Sequence, residues 1–388
     1  MDIIIIGGGI AGLYSAYKIL KIKPHVKLLI IEKDKIGGRI GTEMFQGVRV
    51  MTGAGIGRKN KDRLLNNLLK ELDIHVTTFI SSRKYKLPCH VKKIFTLLKK
   101  RFAETRPNKT FKQFALPLLG NEMYKNFVAC AGYSDYENED AYETFYNYGF
   151  EDNFSDFTGV SIPWNLLIEA LVKKIGRRFC FANVTKIKAS DNFTIYTNKG
   201  NYMCDKIILA TTIESVQKLL PLPIYRQIHG QSFLRVYGKF TKASTEIMNR
   251  YVDGYTIVPG PLKKIIPMNK EKGVFMIAYS DNEDADLLKK YSKNTPKNRE
   301  YFCKLIERAL GISEKLDLIA MKEFYWKIGT HYYEPLRGFD NRKEFIKRAQ
   351  HPFPGILVVG ELISTNQGWV EGALESTEVV NKKWVDNV

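Results

Sequence analysis

The chain opens with an apolar run that does not alternate. Ile3, Ile4, Ile5 and Ile6 are consecutive β-branched residues. That predicts a short strand buried on both faces, as in a parallel sheet. Residues 11–20 read as a helix and residues 26–31 as a second apolar strand. A short strand is expected at 48–51. Leu64, Leu65, Leu68, Leu69 and Leu72 then recur at helical spacing, and residues 58–155 read as mostly helical core. Further on, a helix is predicted at 164–178 and strands at 181–187, 193–197 and 206–211. The turn Asn198-Lys199-Gly200-Asn201 fits a hairpin. Strands at 233–240 and 274–279 precede a helix at 299–310. A strand at 356–359 and a helix at 369–384 close the pattern. No internal repeat or low-complexity segment interrupts it.

Chemistry enters at the end of the first strand. The run Gly7-Gly8-Gly9-Ile10-Ala11-Gly12 follows it directly, and Glu32 stands at the end of the second strand, twenty residues after Gly12. Gly7 suits a tight turn, Gly9 lets backbone approach a pyrophosphate, and Gly12 lets the helix pack close to the strand. The helix opening at Ala11 would point its free N–H groups at the phosphates. A carboxylate at Glu32 accepts ribose hydroxyls and repels a 2′-phosphate. Near the other end stand Gly360-Glu361 and Gly368-Trp369-Val370-Glu371-Gly372-Ala373, which look like the far wall of the same site. The two elements together point to a flavin, and so to FAD. The expected class is α/β. A Rossmann-type FAD-binding domain, of the two-dinucleotide-binding flavoprotein type, is drawn from residues 1–57, 156–215 and 326–388. It is interrupted by a mixed α+β substrate domain drawn from residues 58–155 and 216–325.

Bulk composition narrows the setting. The 388 residues can bury a large core, and 44% hydrophobic content is ordinary for a globular chain. No aliphatic run is long enough to span a membrane. The first strand starts at the second residue and the C-terminal end is polar, so neither a signal peptide nor a C-terminal anchor is expected and the location reads as cytoplasmic. The five cysteines (Cys89, Cys130, Cys180, Cys204 and Cys303) are scattered without CxxC spacing. That argues against a disulfide framework and a metal site and fits a reducing compartment. The formal charge of +19 would draw nucleic acid or an acidic partner if focused on one face. Its lysines are spread along the chain, which favours a solvated basic surface. Asp135 to Glu143 is the acidic exception. It reads as a solvated loop or as an attractor for a polyamine.

Four blocks resemble the flavin-containing amine oxidase family of monoamine, polyamine and L-amino-acid oxidases. They are Gly7 to Gly12 with Glu32; Gly37-Gly38-Arg39; Asn183-Val184 with residues 207–211; and Gly360-Glu361 through Ala373. The overall texture is also similar to amine-oxidase-like proteins of large DNA viruses, which would place the chain in a host cytoplasm or a virion. The resemblance implies that Gly38 and Arg39 meet the FAD pyrophosphate, that Val184 meets the adenine through its backbone, and that Gly360 and Glu361 lie beside the pyrophosphate and ribitol. It implies that the helix near Trp369 and Val370 points its N-terminus at the flavin. It further implies an aromatic pair, Tyr332 and Trp369, between which a neutral amine binds. It implies, last, that hydride would pass to flavin N5, the imine would hydrolyse, and O2 would take the electrons as H2O2.

Two positions depart from the family. Arg235 stands where active amine oxidases usually carry a lysine that holds a water near the flavin, and an arginine cannot act as a base. His331 stands where monoamine oxidases have a flavin-linked cysteine, so it is either a histidyl–flavin link or a structural histidine. No clear clamp for a substrate carboxylate is present; Arg49 and Arg235 are bare candidates. Two other readings stay open: a flavin desaturase or protoporphyrinogen-type oxidase acting on a bulkier apolar substrate, and a flavoprotein-fold binding or structural protein with little or no turnover.

Overall fold

In the computed structural model, which describes residues 1–386, the opening isoleucines form the middle of a five-stranded sheet. Its order is Ile356–Val358, Lys206–Leu209, Ile3–Ile6, Leu28–Glu32, Phe179–Phe181, all parallel. Ile3, Ile4 and Ile5 are fully buried because helices cover one face and further strands and loops the other. Gly7 leaves the sheet at φ +108°, a left-handed conformation that favours glycine. A Cβ at Gly12 would collide with the Gly7 carbonyl oxygen. The helix Ile10–Ile22 can therefore lie close on the strand that precedes it.

The second sheet has six strands, ordered Leu318–Tyr333, Ile228–Phe240, Val274–Asp281, Lys264–Asn269, Thr256–Ile257 and Lys84–Tyr85. Alternation along Ile228–Phe240 sorts its faces. Leu234 and Val236 join a core under the helix Pro296–Leu310, whereas Phe233 and Arg235 turn to a cavity between the sheets. The helices Val91–Thr105, Phe111–Ala131 and Ala141–Tyr146 hold a separate aromatic cluster around Phe95, Phe127 and Phe150. No helix among the described residues is long and apolar enough to cross a membrane.

Several sequence expectations are corrected. The stretch expected to be mostly helical also holds the strand Thr77–Ser81, paired with Phe157–Ser161. Most of that strand is exposed, so it carries no apolar alternation to read. The single strand expected at 181–187 is two strands in two sheets, Phe179–Phe181 and Val184–Ala189. The long C-terminal helix expected from Trp369 is broken into Val370–Glu375, a 3-10 turn Ser376–Val379 and Lys382–Asp386. There the Ser376 and Thr377 hydroxyls bond back to the carbonyls of Ala373 and Leu374, each at 2.7 Å. Such back-bonding competes with a regular helix. Against the expectation of no disulfide, Cys89 and Cys130 are bonded. A loop and a helix 41 residues apart meet there, and spacing alone does not reveal such a pair.

The acidic segment is not a solvated loop. Asp135, Glu139, Asp140 and Glu143 are all buried. Arg342 binds Asp140 at 2.8 Å and Glu143 at 3.1 Å, and Glu139 accepts from the Thr144 hydroxyl. These carboxylates dock the segment onto the rest of the chain, and of them only Asp135 lines the cavity.

Candidate functional site

One cavity of about 1490 Å³ runs from the glycine turn to the six-stranded sheet. At its first end, Gly8 N donates to Glu32 Oε2 at 2.6 Å and Asp34 N to Glu32 Oε1 at 2.8 Å. The backbone thus presents the carboxylate at the cavity wall. A Cβ built on Gly9 meets no atom within 4 Å, because that position opens into the cavity. Gly7, Ala11, Gly38, Val184, Gly360 and Val370 line the same space, whereas Gly12 packs behind the turn. Val184 arrives there because the chain crosses between the two sheets at Ala182 and Asn183.

The second and last blocks meet in a charge cluster around Glu361. Arg39 Nη1 donates to Glu361 Oε1 at 2.7 Å and to the Gly329 carbonyl at 2.9 Å. Gly368 N donates to Glu361 Oε2 at 3.0 Å, and His331 Nδ1 bonds Glu361 Oε1. Burial would raise the Glu361 carboxyl, but His331 and Arg39 outweigh it and bring it down to about 2. Burial lowers His331 despite Glu361 beside it. Ile213 N donates to His331 Nε2 at 3.1 Å, so the proton sits on Nδ1. Both ring nitrogens are committed within the protein, which is the structural role and leaves neither for a flavin bond.

The expected aromatic pair is not assembled. Trp369 lines the cavity, with the Arg58 guanidinium 3.8 Å above its ring. Arg58 is buried and held by Asp62 and Asp152. Tyr332 lies outside the cavity, its ring stacked on His229 at 5.3 Å between centroids. The reason is an irregular pairing. Gln231 faces Thr330 but Phe233 faces Trp326, so the longer strand bulges and Tyr332 falls beyond the cavity rim. The wall is supplied instead by Trp326, whose Nε1 donates to the Thr52 carbonyl at 2.7 Å, and by Phe324. Alternation with Ile328 was the available signal for Trp326 and Phe324. Arg58 sits in a basic run and gave no such signal.

At the far end, Arg235 is buried among Tyr279, Phe324 and Gly55. Tyr133, Asp135 and Tyr148 complete that wall; of these the sequence singled out only Asp135, as part of the acidic segment. Tyr148 donates to Asp135 Oδ1 at 2.6 Å. Burial, and then the nearby Asp281, push the Asp135 carboxyl up to about 7. The folded state therefore holds a proton there that the unfolded chain has released. Stability from this group is full below about pH 4 and is lost as pH rises through about 7. Asp135→Asn removes that loss. Thermal unfolding should show the variant's midpoint raised relative to wild type at pH 8 and nearly matching it at pH 4. A gap that does not widen with pH would contradict the assignment.

Residues 5–72 match the NAD(P)-binding Rossmann-like domain family. An uncharacterized protein of Acanthamoeba polyphaga mimivirus is 22% identical over 485 aligned positions, covering 97% of this chain and 92% of that one. Among solved structures, cyclohexylamine oxidase from Brevibacterium oxydans IH-35A superposes with a TM-score of 0.77 at 16% identity, over 100% of this chain and 99% of that one. A protein from Exiguobacterium sp. 255-15, assigned as a protoporphyrinogen oxidase, gives 0.73 at 15% identity, over 100% and 98%. The chain therefore has the α/β fold of these oxidase structures, the same fold that its flavin-amine-oxidase-like sequence blocks imply.

Proposed function

We propose that the chain is an FAD-dependent oxidoreductase acting on an amine, with O2 as electron acceptor. The observation that carries this reading is the single cavity. It joins a dinucleotide-type glycine turn and Glu32 to an aromatic chamber large enough for a second molecule. The residues fit the cofactor: Gly9 opens a cradle that a side chain would fill, and the Glu32 carboxylate faces the same space. Gly7, Gly9, Ala11 and Glu32 would hold the adenosine and pyrophosphate end with Val184, and Gly38, Arg39, Gly360, Glu361 and Val370 the remainder. When bound, FAD supplies acceptance of two electrons from the substrate.

The protein's own part is binding, orientation and exclusion of water. Trp369, Trp326 and Phe324 offer aromatic faces to the substrate. Arg235 stays charged at every working pH, so it can donate hydrogen bonds but cannot take a proton. The mimivirus relative supports a viral source, acting in a host cytoplasm or carried in a virion. The likeness to a structure assigned as protoporphyrinogen oxidase keeps a second reading in view, oxidation of a bulkier apolar substrate. Product analysis separates the two. Release of ammonia or an aldehyde from an amine panel is the expected result, whereas flavin reduction without either product favours the second. In Trp369→Ala, substrate reduction of the flavin should slow by at least about tenfold, as loss of one orienting aromatic wall implies. An unchanged rate would remove Trp369 from the site.

A further inference from the structure

Within that reading, we infer that the substrate presents a carboxylate and that Arg235 is the residue that binds it. Arg235 is only 4% exposed, yet its side chain faces the cavity. Register places it between Tyr279 on one neighbouring strand and Phe324 on the other, and all three line the chamber. The guanidinium lies 4.2 Å from the Tyr279 ring centroid. Its polar neighbours are the Tyr279 and Tyr237 hydroxyls. The Tyr237 hydroxyl donates its proton to the Met51 carbonyl at 2.8 Å and keeps its oxygen as an acceptor for Arg235, so both neighbours are neutral and neither supplies a counter-charge.

No carboxylate among the described residues forms an ion pair with Arg235. A buried guanidinium without a counter-charge is costly, and an anion delivered by a ligand removes that cost. The carboxylates lining the same cavity are engaged elsewhere or exposed: Glu214 pairs with Lys327, and Asp34 is exposed at the far rim. Glu361 serves Arg39 and His331, Asp152 serves Arg58 and Lys61, and Glu32 is capped by backbone. Asp135 is bonded by Tyr148 and keeps its proton up to about pH 7. Lys264, 4.3 Å from the same Tyr279 ring centroid, is fully buried, and burial holds its amine well below the usual lysine range. Arg49, Arg83 and Lys84 also line the cavity, but of these arginines and lysines Arg235 is the buried one, and its planar fork matches a carboxylate in two-point geometry. The aromatic walls beside it suit an amine that carries both a carboxylate and an apolar body, an amino-acid type of substrate. An amine without an acid group leaves the guanidinium uncompensated.

The test uses the full chain, with and without added FAD, and three probes of one shape: benzoate, benzamide and benzylamine. Quenching of Trp326 and Trp369 fluorescence reads binding in the FAD-free protein, and a shift of the flavin band reads it in the loaded protein. Benzoate should bind wild type at least about tenfold more tightly than benzamide, the value of a charge-assisted hydrogen bond. Arg235→Met should abolish that preference, and Arg235→Lys should retain part of it. Equal binding of benzoate and benzamide by wild type would overturn the inference even if neither variant folds. So would a benzoate preference that survives in Arg235→Met, or tightest binding of benzylamine. If FAD is retained but benzoate is not preferred, the inference fails and the flavin reading stands. If benzoate is preferred by a protein that takes up no FAD, the anion site stands and the flavin reading fails.

Discussion

Replacing Glu361 by alanine is expected to destabilise the chain by about 3–5 kcal/mol at neutral pH, the cost of removing one partner from a buried charge cluster. The loss is large because one carboxylate answers three donors: Arg39 and His331 from elsewhere in the chain, and the nearby Gly368 N. Alanine leaves the His331 Nδ1 proton buried without an acceptor and frees the Gly368 amide. It also releases Arg39, which joins the Gly-Gly-Arg turn to the strand carrying Gly329. The effect should depend on pH. The Glu361 carboxyl is held at about 2, below its unfolded value, so its stabilisation is present above about pH 4.5 and drains away as pH falls toward 2. Denaturant unfolding at pH 7 and pH 3 checks this: the gap between wild type and Glu361→Ala should narrow at pH 3. A gap under about 0.5 kcal/mol at pH 7 would place the variant among ordinary surface substitutions and remove the cluster from the account.

The second large effect separates binding from folding within one six-residue turn. Gly9→Ala should fold as wild type does. Gly9 has φ −72° and ψ 178°, which alanine adopts freely, and the added methyl touches nothing in the protein. It would instead occupy the space where a pyrophosphate meets the backbone, so FAD affinity should fall by about 100-fold. Gly12→Ala should do the reverse. Its methyl drives into the Gly7 carbonyl, and the helix must lift from the strand. A cost of about 1–3 kcal/mol is expected, as for other overpacked sites. Thermal unfolding with and without FAD reads both variants. If Gly9→Ala loses stability without FAD, or keeps wild-type affinity for it, the turn is not the phosphate cradle.

Local patterns carried much of this architecture in the sequence. An unbroken apolar run, a glycine spacing and an acid at the next strand end are read without tertiary knowledge, and the structure puts Ile3–Ile6, Gly9 and Glu32 together as such patterns require. What escaped depends on non-local contacts. Tyr332 has the same strand parity as Trp326, yet a bulge between them, set by a partner strand more than ninety residues away, separates the two and Tyr332 lies past the cavity. The residues Asp140 and Glu143 look solvent-facing until Arg342, about two hundred residues on, is seen to pair with them. Cys89 and Cys130 likewise meet only once the helices pack. Arg235 was legible as an oddity. Its missing counter-charge became visible only when both neighbouring strands were in register.

FAD held in this cavity and used for redox chemistry is what we propose. The most direct test is the absorption spectrum of the purified chain, incubated with FAD, freed of excess cofactor and titrated anaerobically with amines and amino acids. Retained bands near about 370 and 450 nm, the mark of oxidised flavin, and their bleaching by at least one substrate in the panel are expected. A protein that retains no flavin after reconstitution would contradict that proposal, and the oxidase fold would then serve binding or structure.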